Sequence, residues 1–391
     1  MERNISAEEL TDWPKNVSSL IKKNKSLIEK EDQIKQICEK LDKKSKAVYL
    51  NRVLFNYTLN YEYLIELVKT NDKFVNMIEP TLEFWGECES AVKRGEKLIF
   101  YGVGSFAQSL AFTGECFFYY QVFDNIDWCC FVDKDKKKQG QLFCGKPVIS
   151  PEQLIEKHAD ATVVIGTPNY QLEVEKELIG LGIKKEKILM HPSQGIDLDL
   201  VLDPTQYFDD FILGKDNEIF VDAGCYVGDT IEKFLQWNHG NYEKIYAFEP
   251  DKENFKKCEE YLKSLNLDNI KLWNAGLYSS NGTISFKANG NSGSHISQNE
   301  ENKIDVLSLD ECLKGEKVTF IKMDIEGSEL EALKGAKETI KKWRPKLAIC
   351  LYHKKEDVFE IPAYLLELVD DYQIHVRHYS NFGIETVLYA I

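Results

Sequence analysis

The chain has 391 residues, of which 43% are hydrophobic and 29% are charged, and its formal net charge is -15. This length exceeds the usual size of one hydrophobic core and predicts two domains with an extension. The composition is typical of a globular protein and excludes a mostly disordered chain. Because the negative charge would repel a phosphate backbone and the lysine runs are interleaved with acids, we expect no nucleic-acid partner.

The N-terminal segment is charged and lacks the apolar core of a signal peptide, and no later stretch stays apolar over the thickness of a bilayer. We therefore expect a cytoplasmic protein with no membrane span. The ten cysteines include the neighbours Cys129 and Cys130 but no C-x-x-C motif. This pattern predicts reduced, mostly buried thiols and indicates neither a disulfide framework nor a zinc site.

Residues 1–94 are predicted to form a helical extension. Apolar residues recur at near-helical intervals, here seven and three, as at Leu27, Ile34 and Ile37, and aromatic residues are frequent between 48 and 85. We expect these helices to pack on another domain or on a second subunit. The second possibility suggests a homodimer.

Residues 95–200 are predicted to form a small α/β, Rossmann-like domain, because apolar strands such as KLIFYGVG and ATVVIGTP alternate with helical segments. Gly102 and Gly104 follow its first strand, where a phosphate-binding turn would lie, and Asp133 follows the second, where it could accept ribose hydroxyls. The alternative is a turn that only allows the strand and helix to pack. A nucleotide or nucleotide sugar at Gly102 and Gly104 therefore stays open.

Residues 201–391 are predicted to form a second doubly wound α/β domain. Its strand candidates begin at EIFVDA, and the last two, YQIHVRHY and ETVLYA, form an apparent hairpin. The order fits a parallel sheet with a terminal antiparallel hairpin.

A ligand site is indicated where the first two strands of this domain end. The glycine turn in VDAGCYVGDT would admit a ligand against the backbone, with Asp222 or Asp229 near a positive charge. Glu249, at the end of the next strand, can accept two ribose hydroxyls, which is typical of adenosine binding. Asn274 and Ala275 would border the adenine. The full predicted cofactor-binding set is Asp222, Gly224, Tyr226, Gly228, Asp229, Glu249, Pro250, Asn274 and Ala275.

Four blocks, VDAGCYVGDT, AFEPDKENF, KMDIEGSELEALKGA and KLAICLYHKKEDVFEIPAYL, together resemble the FkbM family of methyltransferases over about residues 206–391. Tyr226 stands in place of the middle glycine of the general methyltransferase pattern, a glycine that FkbM-like proteins often lack. The resemblance implies a class I methyltransferase fold. It also implies methyl transfer from S-adenosylmethionine to an oxygen acceptor, commonly a hydroxyl of a sugar or natural product.

A general base is needed because a neutral hydroxyl is a weak nucleophile. The candidates are Asp324, Glu326 and His353, and we favour His353 because an imidazole titrates near neutrality. The two carboxylates would then orient the acceptor, although Asp324 could instead cap the following helix. A divalent ion held by Asp324, Glu326 and Glu329 is the alternative. Metal-free catalysis is preferred, because no separate Asp or His cluster completes an octahedral set.

Other functions fit parts of the sequence. One is an oxidoreductase that binds NAD or a nucleotide sugar at Gly102 and Gly104, and the other is a non-catalytic scaffold. The first lacks a recognisable catalytic set before residue 200, and an intact Glu249 argues against the second. Residues 95–200 resemble the nucleotide-binding-like domains of polysaccharide-modifying proteins, which suggests glycan modification by analogy. Late in the chain, His375 and Arg377 either contact the acceptor or form a polar outer face.

Overall fold

The structure is a computed structural model, and it describes residues 25–58, 61–104, 107, 128–143, 145–166, 170–190, 203–287, 295–296, 303–381 and 383–391. The chain divides into two compact units. One comprises Met1–Tyr57, Thr205–Tyr379 and Ile384–Ile391, and the other comprises Thr58–Pro204 and Ser380–Gly383. The predicted boundaries near residues 94 and 200 stay a prediction, and the expected helix before Lys25 lies outside the described residues.

The N-terminal region is helical, as predicted. Its helices are α1 Lys25–Ile28, α2 Glu31–Glu39, α3 Lys43–Thr58, α4 Tyr61–Val68 and α5 Val75–Lys93. The first three lie largely in the unit that contains the C-terminal sheet. There Gln33 Nε2 donates to the carbonyl of Phe359 at 3.3 Å, and the ring centroids of Tyr57 and Phe359 lie 5.4 Å apart. No helix within the described ranges is both long and apolar enough to cross a bilayer.

The unit around Thr58–Pro204 contains a six-stranded sheet. Its elements are β1 Leu98–Tyr101, β2 Trp128–Val132, β3 Leu142–Phe143, β4 Lys146–Ile149, α6 Pro151–His158, β5 Thr162–Ile165, α7 Gln171–Gly180 and β6 Ile188–Met190. The strand order is β3-β4-β2-β1-β5-β6, and all pairs are parallel except β3 with β4. Strands β1 and β5 are buried along their whole length, as expected for a parallel sheet covered on both faces.

The other unit contains a seven-stranded sheet in the order β16-β17-β15-β14-β7-β8-β9. Strand β17 pairs antiparallel with β15 and β16, and the other pairs are parallel, which confirms the predicted terminal hairpin. The strands are β7 Glu218–Ala223, β8 Tyr242–Phe248, β9 Ile270–Trp273, β14 Phe320–Met323, β15 Lys346–Cys350, β16 Ile374–His378 and β17 Thr386–Ala390. The helices are α8 Asp229–Trp237, α9 Lys252–Ser264, α10 Leu309–Leu313, α11 Glu329–Lys334, α12 Lys337–Trp343 and α13 Asp357–Leu368.

A smaller sheet lies between β9 and β14 in the chain. It consists of β10 Gly276–Leu277, β11 Gly282–Lys287, β12 His295–Ile296 and β13 Lys303–Leu307, in the order β10-β13-β11-β12. The sequence predicts β11, but it treats β9 and β10 as one strand and misses β12 and β13. In the structure β9 ends at Trp273, and β10 pairs with β13 instead.

Aromatic residues fix α8 on the seven-stranded sheet. The rings of Phe220 on β7 and Phe234 on α8 are stacked with centroids 4.3 Å apart, and both side chains are fully buried. Such pairs add about 0.5–1.5 kcal/mol to the free energy gained by burial. Because α8 starts directly after the glycine turn, this packing also positions the turn over the end of β7.

Candidate active site

The predicted site residues lie at the carboxyl ends of β7, β8, β9, β14 and β15, the edge at which open α/β sheets bind ligands. Strands β14, β7, β8 and β9 are consecutive neighbours in the sheet, so the turns that follow them meet.

The turn after β7 depends on Gly224 for a close approach between two loops. Gly224 has φ +78°, and a Cβ built on it would lie 2.0 Å from the carbonyl oxygen of Asp324. The missing side chain therefore lets this turn contact the loop after β14. Gly228, with φ +93°, makes room for Tyr261 on α9, 3.0 Å from its ideal Cβ. Both glycines thus have a packing role, and their place in the cofactor site stays a prediction.

Glu249 joins the turns after β7 and β8. Its Oε2 accepts from the backbone N–H of Tyr226 at 3.0 Å, and its Oε1 accepts from the N–H of Asp251 at 2.8 Å. Tyr226 has φ +48°, the left-handed conformation that points its N–H into this contact. Burial raises the pKa of Glu249 to about 7, against the lowering effect of the two N–H groups.

Asn274 ties the end of β9 to the same loop. Its Nδ2 donates to the carbonyl oxygens of Glu249 at 2.9 Å and of Pro250 at 3.1 Å. Ala275 follows it and is buried. The structure therefore brings together the predicted residues of all three turns, with Asn274 holding the loop by its side chain.

Asp222 lies beneath the turn and is fully buried. It forms an ion pair with Lys322 on the neighbouring strand β14, with Lys322 Nζ 3.1 Å from Asp222 Oδ1. Lys322 Nζ also donates to the carbonyl of Gly224 at 2.7 Å. Burial raises the pKa of Asp222, and Lys322 opposes that shift. Asp222 thus supports the turn from below, whereas Asp229, in the first turn of α8, is exposed.

Lys322 is a buried residue beneath the candidate site that the sequence does not predict. Its signal is a lysine inside the apolar strand FIKM, because a charged side chain buried in a sheet needs a partner. The parallel register places Lys322 opposite Asp222. The pair would have been predictable from the register of β7 and β14, which the sequence alone does not give.

Asp324, Glu326 and His353 converge as predicted, and Glu329 joins them. His353 Nε2 lies 3.3 Å from Asp324 Oδ1 and 3.6 Å from Glu326 Oε2, while its Nδ1 lies 2.8 Å from Glu329 Oε1. The hydroxyl of Tyr207 donates to Asp324 Oδ2 at 2.6 Å, a contact that the sequence argument did not find. Asp324 is therefore held by the side chains around it, and the residue at the N-cap of α11 is Ser328 rather than Asp324.

The three carboxylates control the protonation of His353. Burial would lower the pKa of the imidazole, but Glu329, Asp324 and Glu326 raise it to about 10. The expectation that His353 titrates near neutrality is therefore wrong, because the ring is cationic at pH 7. Burial raises the pKa of Glu326 to about 8, whereas His353 and Lys322 hold the pKa of Asp324 low despite its burial. The identity of the base stays a prediction.

His375 and Arg377 bind the N-terminal helical segment. His375 Nδ1 lies 2.6 Å from Asp42 Oδ2, and Arg377 donates to the hydroxyl of Ser45 at 2.6 Å and to Asp42 at 3.3 Å. These strand residues are therefore paired with the N-terminal helical segment and do not form a solvent-exposed face, and a contact with the acceptor stays a prediction. Sequence reasoning could not find the contact because Asp42 is 333 residues away from His375.

The first glycine turn, at Gly102, is held by hydrogen bonds with side chains that follow β2. Gly102 has φ +107°, and Asp133 Oδ2 accepts from the N–H of Val103 and from Lys138 Nζ, each at 3.0 Å. Asp133, the expected ribose acceptor, thus stabilises the turn. Beyond Gly104, residues 105–106 and 108–127 lie outside the described residues, and a nucleotide at Gly102 and Gly104 stays a prediction.

Comparison with known families agrees with the C-terminal geometry. The family model described as methyltransferase FkbM domain matches residues 222–372. This segment is therefore similar to FkbM methyltransferase domains. Residues 94–189 match a second model, described as C2185-like, N-terminal.

Two relatives are informative about the FkbM domain. The 2-O-methyltransferase NoeI of Sinorhizobium fredii is 26% identical over 157 residues, which cover 34% of this chain and 63% of that protein, less than two thirds of its length. The crystal structure of methyltransferase FkbM from Methylobacillus flagellatus has a TM-score of 0.51 at 20% identity, and the match covers 82% of this chain and 99% of that one. The second likeness supports the fold.

Proposed function

We propose that the protein is an S-adenosylmethionine-dependent methyltransferase that methylates a hydroxyl oxygen of a sugar or another small acceptor. The observation that carries this proposal is Glu249, a buried carboxylate at the tip of the second strand, held by one backbone N–H on each oxygen. The FkbM domain match supports the class of reaction, and the name of the relative NoeI supports an oxygen acceptor.

The residues of the turns fit this cofactor. Each oxygen of Glu249 uses one lone pair on the protein, so each keeps a lone pair that can accept a ribose hydroxyl. Asp229 is exposed beside the turn and would take the ammonium group. Asp222 is committed to Lys322, so we assign it the support of the turn.

The cofactor supplies a methyl group on a sulfonium centre, which is a good leaving group. The protein has to hold the acceptor oxygen in line with the methyl carbon and to take up the hydroxyl proton. Asp324, held by Tyr207, would orient the acceptor hydroxyl. Since His353 is cationic at pH 7, we assign proton uptake to the ionised form of Glu326, which becomes the majority form only above its pKa of about 8.

The substitution Glu249→Gln tests the cofactor site. We expect it to weaken the binding of S-adenosylmethionine and of its demethylated product by about 10- to 100-fold, because hydrogen bonds to a charged acceptor contribute about 1.5–3 kcal/mol. Calorimetric titration of both ligands measures the change. Glu243→Gln, which alters an exposed carboxylate on the same strand β8, is the matched control and should bind like the wild type.

NAD and a nucleotide sugar serve as comparison ligands in the same titrations. If wild-type protein bound one of them and neither S-adenosylmethionine nor its product, the proposal would be wrong. The oxidoreductase alternative at Gly102 and Gly104 would then be the better one.

Cofactor affinity should also depend on pH through Glu249. Its pKa is about 7, so the carboxyl group is mostly neutral at pH 6 and mostly ionised at pH 8. We expect affinity to rise about five- to tenfold over this interval, because the ionised form accepts both ribose hydroxyls. Titrations at several pH values should show this slope in the wild type and a flat profile in Glu249→Gln. An equal slope in both proteins would contradict the assignment.

The ionisation of Glu249 affects folding stability and cofactor affinity in opposite directions as the pH rises. The pKa of Glu249 is raised from 4.5, so the folded protein binds this proton more tightly than the unfolded chain. Its contribution to the free energy of unfolding is present below about pH 4.5 and is lost as the pH rises through about 7.

Several finer features belong to this proposal. We propose a cytoplasmic protein that acts in glycan or natural-product biosynthesis, with residues 95–200 available for a nucleotide or nucleotide sugar. A homodimer through the aromatic N-terminal helices is the proposed assembly. A screen of sugar and polyketide hydroxyl acceptors with radiolabelled cofactor would test the acceptor class.

A further inference from the structure

The strongest unexplained feature of the molecule is the set of donor atoms around His353. The side chain is only 8% exposed, yet neither ring nitrogen makes a well-aligned hydrogen bond to any residue that the structure describes. Asp324, Glu329 and His353 each offer a ligand atom within 4.8 Å of the others. We propose that His353 Nε2, Asp324 Oδ1 and Glu326 Oε2 bind a divalent cation that also binds the acceptor hydroxyl. The second half of this inference rests on the proposed function.

The separation of His353 Nε2 from Asp324 Oδ1 fits one ion. Donors about 2.1 Å from a common ion lie about 3.0–3.4 Å apart at angles between octahedral and tetrahedral. His353 Nε2 is 3.3 Å from Asp324 Oδ1, within that interval, and 3.6 Å from Glu326 Oε2. Glu326, a side chain with three rotatable bonds, would turn toward Asp324 to complete the set.

Glu329 identifies which ring nitrogen faces the ion. It is fully buried, and its Oε1 lies 2.8 Å from His353 Nδ1 and accepts from the N–H of Ile325 at 2.9 Å. Metal-binding imidazoles commonly donate their second N–H to a carboxylate, which fixes the tautomer and the ring orientation. Glu329 therefore acts as the outer partner of Nδ1, and the ion would bind Nε2 by displacing its proton to solvent.

The open side of the cluster faces the proposed ligands. The side chains of Asp324 and Glu326 are 23% and 31% exposed, whereas that of Glu329 is closed to solvent. Tyr207 donates to Oδ2 of Asp324, while Oδ1 lies toward the imidazole and accepts from the hydroxyl of Tyr352 at 3.2 Å, which leaves it one lone pair for an ion. An ion can thus enter from the side on which the acceptor would arrive.

The charge of the cluster also favours a cation. Asp324, Glu326 and Glu329 surround a single imidazole, so the group carries an excess of negative charge in a site of restricted solvation. Two carboxylates and one imidazole suit Mn²⁺, Fe²⁺ or Zn²⁺ better than Ca²⁺, which prefers oxygen ligands throughout.

The ion would lower the pKa of the acceptor hydroxyl. With Glu326 bound to the ion, the hydroxyl proton would leave to solvent in place of the uptake by Glu326 proposed for the metal-free site, and the oxygen would form a bond to the methyl carbon. The bond between carbon and sulfur breaks at the same time, and its electron pair stays on sulfur. No oxidant or further reactant is needed.

Titration with MnCl2 of wild-type protein, stripped with EDTA and dialysed, tests the site. Calorimetry and the loss of the free Mn²⁺ electron paramagnetic resonance signal should report one bound ion. We expect Glu326→Gln to weaken binding at least tenfold, and Glu329→Gln to weaken it about 10- to 100-fold through the imidazole. Glu338→Gln, on the exposed face of α12, is the control and should bind like the wild type.

The remaining outcomes separate this inference from the proposed function. Equal Mn²⁺ binding by wild type and Glu326→Gln, or no binding of Mn²⁺ or ZnCl2 by wild-type protein that binds S-adenosylmethionine, would overturn the cation site alone. If the protein bound Mn²⁺ in a way that depends on Glu326 but bound no S-adenosylmethionine, the cation site would be supported and the proposed methyltransferase function would be wrong. Because Glu326 is partly exposed, its glutamine variant should fold, and unchanged circular dichroism would confirm that.

Discussion

Lys322→Met should lower the free energy of unfolding of the unit that carries the C-terminal sheet by about 3–5 kcal/mol, since removing one partner of a buried ion pair leaves a buried charge uncompensated. Lys322 is a buried residue of β14. It pairs with Asp222 of β7 and donates a hydrogen bond to the carbonyl of Gly224. Its loss would leave Asp222 without a cation. Urea unfolding with peptide-resolved hydrogen exchange over β7 and β14 measures the change.

A control and a double variant decide the cause of this loss. Lys334→Met, on the exposed side of α11, should change stability by no more than about 0.5 kcal/mol. The double variant Lys322→Met with Asp222→Asn should recover part of the loss, because it removes the buried charge together with its partner. If Lys322→Met unfolded at the same urea concentration as the control, the pair would have no structural role.

Gly224→Ala should lower stability by about 3 kcal/mol or more and should also weaken cofactor binding. The added Cβ would lie 2.0 Å from the carbonyl oxygen of Asp324, so the loops after β7 and β14 would have to separate. A backbone clash of this kind adds to the strain of a positive φ, here +78°. Urea unfolding and calorimetric titration of S-adenosylmethionine measure the two effects.

Gly240→Ala separates the clash from the backbone strain. Gly240 has a similar φ of +73°, but its ideal Cβ meets nothing within 4 Å. We expect this variant to lose about 1 kcal/mol, the effect of backbone strain alone. Equal losses in the two variants would show that the contact with Asp324 has no effect on stability.

The sequence predicts the secondary structure well where a local apolar run decides it. Strands β7, β8, β14, β15 and β17 are short apolar segments between turn residues, and the parallel order with its terminal hairpin follows from their alternation with helices. The four-stranded sheet is not predicted as well. Strands β12 and β13 lack such a run, and β10 depends on pairing with β13, which a local pattern does not encode.

The spacing of motifs in the sequence predicts which residues form the candidate site. It does not predict the contacts and charges that surround each of them. Glu249 and Gly224 follow strands at recognisable positions, yet the role of Gly224 depends on Asp324, which is distant in the chain. The cationic state of His353 likewise requires Glu329, Asp324 and Glu326 to meet in the fold. Long-range contacts set these properties, and one sequence does not reveal them.

The N-terminal segment has a consequence for solubility. Strand β16 is the last strand on its side of the sheet, so it has a row of backbone groups available for pairing. Leu41 forms a parallel bridge with Ile374 on this strand, and Asp42 holds His375 and Arg377 beside it. Uncovered edges of this kind recruit strands of other molecules and promote aggregation. A fragment beginning at Asp203 would expose the edge of β16. The N-terminal segment around Leu41 and Asp42 therefore protects this edge from pairing with other molecules.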